Sequence, residues 1–220
     1  AAGLLAVSEA LAADIAALGL PSQKIAVHRT GLDRDRFRPL QHDGLRSQLA
    51  RQLGVPLADD EALLVSVGAL IARKGQGFAV RALPLLDNAR LLLVGTGEDE
   101  AKLRALANEL RVDQRVHFLG SLDHDMLPLV LSAADAMVLP SASEGLANAW
   151  VEALACGCPV VITDAGGARE LLTAPGAGRI VPRDPAAIAE AVKSLLSAPP
   201  ERDTVAATVE RFSWPVHAEA

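Results

Sequence analysis

Six short apolar runs, ALLVSVG, ARLLLVG, RVHFLG, DAMVLP, CPVVIT and GRIVP, recur between residues 62 and 182, each bounded by Gly, Pro or Asp. Runs of this length, without polar alternation, predict strands buried on both faces. Between them the apolar positions fall at helical spacing, which predicts helices over 75–83, 98–110, 125–133, 146–155 and 185–196. Strand and helix alternate throughout, so the expected fold is α/β: a Rossmann-like, doubly wound parallel sheet of about six strands, covered by helices on each side. The opening AAGLLAVSEALAADIAALGL reads as the end of a strand followed by an amphipathic helix, as though the chain began within a domain. The polar stretch 33–60 reads as a linker carrying a short helix into the main domain.

Composition narrows the partners. With 220 residues, half of them hydrophobic, the chain can bury the core of one domain or two small ones. A net charge of -6 and the lack of any Lys/Arg block argue against a nucleic-acid surface, which needs clustered cations to neutralise phosphates. Cys156 and Cys158 are too close in sequence for an unstrained disulfide, so a reducing compartment is expected. No apolar run reaches a membrane span and no secretory leader pattern opens the chain. The expectation is a cytoplasmic protein, with peripheral attachment at the inner face of a membrane left open.

In an open parallel sheet ligands bind beyond the carboxyl ends of the strands, so the loops after the apolar runs should carry the chemistry. VGALIARKGQG (67–77) has Gly68 at the strand end and Arg73 and Lys74 just before Gly75. Lys74 could meet a phosphate, but from this loop alone a solvated turn with two surface charges is the stronger reading, and the Walker spacing is absent. VGTGEDE (94–100) holds Gly95 and Gly97 without the third glycine of a dinucleotide fingerprint, and its acids suit the first turn of the next helix.

The third loop is SEGLANAWVEALACGCPVV (143–161). A helix beginning near Leu146 would present free N–H groups and the positive end of its dipole to the ligand edge, an anion site. Gly145 permits close approach and Asn148 adds an amide. Glu144 and Glu152 stand eight positions apart, which on a helix brings the direction back to within ~80°, so both carboxylates could face one ligand and accept from paired hydroxyls. Against this stands the plainer assignment of Glu144 to helix capping and Glu152 to the surface.

Beyond that loop, VSVGALIARKGQ, LLLVGTGEDEAKLRALANEL, RVHFLG, AADAMVLPS and GRIVPRDPAAIAEAV keep the same register over 62–196, and GLDRDRF with Pro39 precedes them. Together with the Glu-x7-Glu segment these resemble the retaining group 1 glycosyltransferases of GT-B fold. The resemblance implies that 62–198 is a nucleotide-sugar donor-binding domain, the C-terminal half of a GT-B fold. It makes 1–30 a remnant of the N-terminal acceptor domain, 31–61 the interdomain linker, and 199–220, ending FSWPVHAEA, a segment leading back to the other domain. Carried over by residue, Lys74 matches the lysine that neutralises the donor diphosphate, Glu144 the acid holding the transferred sugar, and Glu152 the ribose acid. The backbone of Gly145, Leu146, Ala147 and Asn148 would hold phosphate and sugar, and that near Leu119 would meet the base. Where the family often has Gly-Arg, this chain has Gly68 and Ala69, leaving Arg73 as the nearest substitute.

The implied reaction is retaining transfer of a sugar from a nucleoside diphosphate, through an oxocarbenium-like state, to a carbohydrate or lipid-linked acceptor. Its partners would be the nucleotide-sugar donor and the missing N-terminal domain, with no cofactor and no metal. Asp33-Arg34-Asp35 and Asp123-His124-Asp125 spell Asp-x-Asp, but the first lies in the linker and the second suits a helix cap. His28, His117, His124 and His217 lack ligand spacing. Two alternatives stand beside the transferase: a non-catalytic nucleotide-sugar-binding fragment, since the acceptor half is absent, and a GT-B sugar epimerase, for which no acid-base histidine constellation is visible. A nicotinamide oxidoreductase is weaker still.

Overall fold

A computed structural model describes residues 3–41 and 43–212. The chain opens with β1 (Leu4–Ala6), α1 (Glu9–Ala17) and β2 (Ile25–Val27), where β1 and β2 pair in parallel as a two-stranded sheet. Then come α2 (Leu45–Leu53), β3 (Ala62–Val67), α3 (Gln76–Ala82), β4 (Ala89–Val94), α4 (Glu100–Glu109) and β5 (Val116–Gly120). The second half holds α5 (Leu127–Ala133), β6 (Ala136–Leu139), α6 (Asn148–Ala155), β7 (Val160–Ile162), α7 (Ala168–Leu171), β8 (Gly178–Ile180), α8 (Pro185–Ser197) and α9 (Arg202–Ala207). The six apolar runs are β3 to β8.

Those six strands form one parallel sheet in the order β5-β4-β3-β6-β7-β8. Alternate residues along each strand enter opposite cores. Leu63, Val65, Leu92, Met137, Leu139, Val160 and Ile162 pack against α5 and α6 with Trp150. Leu64, Leu91, Leu93, Ala136, Val138 and Val161 pack on the other face with residues of α3, α4 and α8. Burial on both faces explains the unbroken apolar runs. Successive strands run from β3 outward to β5, then the chain returns to place β6 on the other side of β3, making a topological switch point there.

The 33–60 segment is less of a tether than its polar sequence suggests. Leu32, Phe37 and Leu49 are buried in the same core as α5 and α6, and the Leu32 amide donates to the Phe212 carbonyl. Asp33 Oδ1 accepts from the amides of Asp35 and Arg36, an Asx turn that aims Arg36 at the body of the protein. Helix α6 begins at Asn148, later than the expected start near Leu146, because Ala147 is extended and serves as its N-cap without a side-chain acceptor. Glu144 therefore neither caps the helix nor shares its helical phase with Glu152. Residues 213–220, which include His217 and most of the FSWPVHAEA tail, lie outside the described residues. Among the described residues no helix is long and apolar enough to cross a membrane.

Candidate functional site

The loop after β3 and the loop after β6 meet at the switch point. Gly68 follows β3, and the Lys74 side chain runs over it: a Cβ there would lie 3.8 Å from Lys74 Cε. A 3-10 turn, Ala72–Lys74, then lifts Arg73 and Lys74 toward the second loop. Lys74 Nζ donates to Glu144 Oε1 at 2.6 Å, and both side chains are largely buried. Arg73 donates to the Ser143 carbonyl at 2.6 Å and lies 3.6 Å from Glu144 Oε2. The Ala142 amide returns a hydrogen bond to the Arg73 carbonyl at 2.7 Å. Arg73 thus reaches the Glu144 loop from the same turn as Lys74.

Closely packed glycines make this closeness possible. Gly75 has φ 78 and sits so tightly under Pro140 that a methyl group would overlap that carbonyl. Gly166, at φ 50, lies against the Glu144 and Gly145 carbonyls in the same way, and the Gly167 amide donates to the Gly145 carbonyl at 2.7 Å. Gly95 and Gly97 have a packing role too: a Cβ at either would strike the carbonyl of Gly68 or Leu70, and the Leu70 amide donates to Thr96. Close loop-loop approach accounts for the VGTG sequence that resembled part of a dinucleotide fingerprint.

The first helix forms another wall. Ser8 caps α1 by accepting from the Leu11 amide, and its hydroxyl donates to the Gly145 carbonyl at 3.1 Å. A Cβ on Gly145 would come within 2.8 Å of Val7 Cγ2. Glu170 accepts from the Glu9 and Ala10 amides, holding the α1 N-terminus, and pairs with Arg29 at 3.3 Å.

Glu152 anchors a second cluster. Arg36, which has only donors, reaches His124 Nδ1 at 2.9 Å, so that nitrogen is the acceptor and the proton sits on Nε2. Nε2 then donates to Glu152 Oε1 at 3.4 Å, while Arg36 also pairs with Asp125 at 2.7 Å. Phe37 packs against the His124 ring at 5.1 Å in an edge-on arrangement. Burial pushes the Glu152 carboxyl above its usual value, and the His124 hydrogen bond partly offsets that. Leu119 lies on β5 beside the core that holds α6.

The structure therefore brings Gly68, Arg73, Lys74, Glu144 and Gly145 together, with Leu146, Ala147 and Asn148 following into α6, and sets Glu152 in its own group. Sequence reasoning passed over Arg36, Gly166 and Arg183, and it set His124 aside because the histidines lack ligand spacing. Asp123 does cap the 3-10 turn that follows, through the Asp125 amide. His117, in contrast, accepts from Arg90 at 2.8 Å on β5, away from these clusters, and burial lowers its basicity. Cys156 and Cys158 are buried thiols, Cys156 pushed up to about 12 by desolvation, which keeps it protonated and unreactive. Among the described residues no three His, Cys, Asp or Glu side chains form a group able to hold a metal.

A sheet of this strand order with its loops converging at the switch point defines the class, the Rossmann-like half of a GT-B glycosyltransferase fold. The sucrose-phosphate synthase of Thermosynechococcus elongatus superimposes on 98% of the chain with a TM-score of 0.84 at 28% identity, using 55% of its own length. Anabaena HepE in complex with UDP and glucose matches the whole chain at a TM-score of 0.87 and 25% identity, using 61% of its own length. The chain belongs to the glycosyl transferases group 1 family, whose sequence pattern matches residues 53–211. Among relatives, an uncharacterized glycosyltransferase of Methanocaldococcus jannaschii is 29% identical over 96% of the chain and 56% of its own length. The GDP-mannose-dependent monoacylated alpha-(1-6)-phosphatidylinositol monomannoside mannosyltransferase of Corynebacterium glutamicum is 33% identical over 86% and 53%. The chain spans about half the length of these curated relatives.

Proposed function

We propose that this chain is the nucleotide-sugar donor-binding part of a retaining glycosyltransferase, with the acceptor held by residues beyond it. The observation that carries the reading is the Lys74–Glu144 pair, 2.6 Å across the switch point and beside the N-terminus of α6. As the bond from the anomeric carbon to the diphosphate breaks, its electron pair leaves on the phosphate oxygen. Lys74 and Arg73, turning from Glu144 and Ser143, would stabilise that charge together with the α6 N-terminus. Glu144 would then be free to accept from sugar hydroxyls. Glu152, with one oxygen held by His124, would offer the other to the ribose, and the Leu119 backbone would flank the base. In this reading residues 62–198 are the donor-binding domain, 1–30 belong to the acceptor side, and no metal is needed because the protein supplies the positive charge.

The test is calorimetric titration of the chain with UDP, GDP and ADP and their sugar conjugates, without added metal. Saturable binding of one diphosphate series is the expected result, and it identifies the base. Failure of all three to bind would overturn the reading.

Glu152→Gln separates stability from binding. A carboxyl raised by burial contributes stability below its usual pKa of 4.5 and loses it as pH climbs through the raised value. The amide has no such loss, so the variant's melting temperature should gain on that of the wild type as pH rises from 4.5 toward neutrality. Nucleotide affinity should still fall roughly tenfold, the loss of one charge-assisted hydrogen bond. Unchanged affinity would remove Glu152 from the ribose site.

A further inference from the structure

We propose that Arg183 is a positioning residue for the donor site, holding the Lys74 turn and the Glu144 loop at their working separation; the inference rests on the donor-binding reading above. Arg183 follows β8 in the sequence VPRDP, and its backbone is fixed from both sides. The Val181 amide donates to the Ile162 carbonyl at 2.8 Å, and Asp184 caps α8 by accepting from the Ala187 amide at 2.9 Å. From that fixed point the guanidinium crosses to the switch point. Nε donates to the Pro140 carbonyl at 3.0 Å and Nη2 to the Ala72 carbonyl at 3.0 Å. Its Cζ stands 4.8 Å above the Phe78 ring, on the helix that Lys74 leads into.

The two carbonyls belong to the two loops that carry the site. Ala72 opens the 3-10 turn that ends at Lys74, and Pro140 begins the loop that reaches Glu144. One planar side chain bridges them, which a lysine cannot do, since its single ammonium lacks the forked donors and the flat face that rests on Phe78. Among the described residues three other hydrogen bonds join the same loops: Lys74 to Glu144, Arg73 to Ser143, and the Ala142 amide to the Arg73 carbonyl. The first two use the cations that a diphosphate would attract. Once they turn to the phosphates, Arg183 is the side-chain tie left in place, so its contribution is greatest with the donor bound.

Arg183→Ala and Arg183→Lys in the full chain test this by two readouts. Without ligand, amide exchange at Ala142 should speed up about tenfold in Arg183→Ala, as local opening becomes easier, while the β6 amides at 136–139 exchange as before. With UDP, GDP and ADP as probes, the diphosphate that the unaltered chain binds should bind Arg183→Ala roughly tenfold more weakly and Arg183→Lys in between, with the parent nucleoside scarcely affected. In a Lys74→Ala background the Arg183→Ala loss should shrink clearly, because a residue acting in part through Lys74 is not additive with it. Unchanged Ala142 exchange, equal weakening of nucleoside and diphosphate, or full additivity with Lys74→Ala would each overturn the role. Binding of no nucleotide by the unaltered chain would overturn the donor reading and this role together, whereas binding indifferent to Arg183→Ala overturns this role alone.

Discussion

Lys74→Ala is expected to weaken binding of the nucleoside diphosphate by about a hundredfold, the equivalent of losing a strong charge-assisted contact in a water-poor site. The same substitution should also destabilise the protein, because Glu144, its side chain only 8% exposed, loses its nearest partner and is left with Arg73 at 3.6 Å. Breaking one partner out of a buried ion pair costs about 3 kcal/mol or more, and Arg73 keeps the figure at the lower end. Adding Glu144→Ala removes the stranded carboxylate. The double variant should therefore recover much of the stability lost in Lys74→Ala, as read from urea unfolding, while its diphosphate affinity stays low. Recovery of both together would mean that Lys74 serves only to neutralise Glu144.

Gly166→Ala should have the larger effect on folding. A methyl group there would overlap the carbonyl oxygens of Glu144 and Gly145, both backbone atoms, and φ is +50. The left-handed backbone and the overlap together are worth about 2–5 kcal/mol against the variant. The backbone that would have to move is the stretch that positions Glu144, so whatever protein folds should also bind nucleotide poorly. Gly176→Ala is the control: the nearest heavy atom to its added methyl would be Pro200 Cβ at 3.6 Å, and stability should stay level or rise slightly. Comparable midpoints for the two variants in a urea titration would dismiss the steric argument.

The sheet was legible in the sequence because parallel strands are buried on both faces and so leave unbroken apolar runs that turn residues delimit. All six runs are strands, and the five helices were placed to within a few residues. Short elements escaped. Helix α7 spans four residues, too few to show a helical period, and β2 spans three. The start of α6 was misplaced because Leu146 and Ala147 continue the apolar pattern although their backbone is not yet helical. Lys74 and Glu144 stood out through the family resemblance, and the loops do bring them into contact. Arg183 could not have been found that way. Its partners are main-chain carbonyls 43 and 111 positions away, and a bond to a carbonyl selects no residue type at the other end. The Glu152 cluster was hidden for a related reason: Arg36, His124 and Glu152 come from three separate stretches, and nothing in their spacing joins them.

The contacts of β1 and α1 bear on how such chains could be recombined. Ser8 and Val7 press on Gly145, and Glu170 grips the first amides of α1 while Arg29 bridges back to it. A chimera that grafts a foreign N-terminal part onto this sheet should therefore place its junction before β1, so that these matched surfaces travel together. A junction after Arg29 would leave the Gly145 loop facing a wall shaped for another protein.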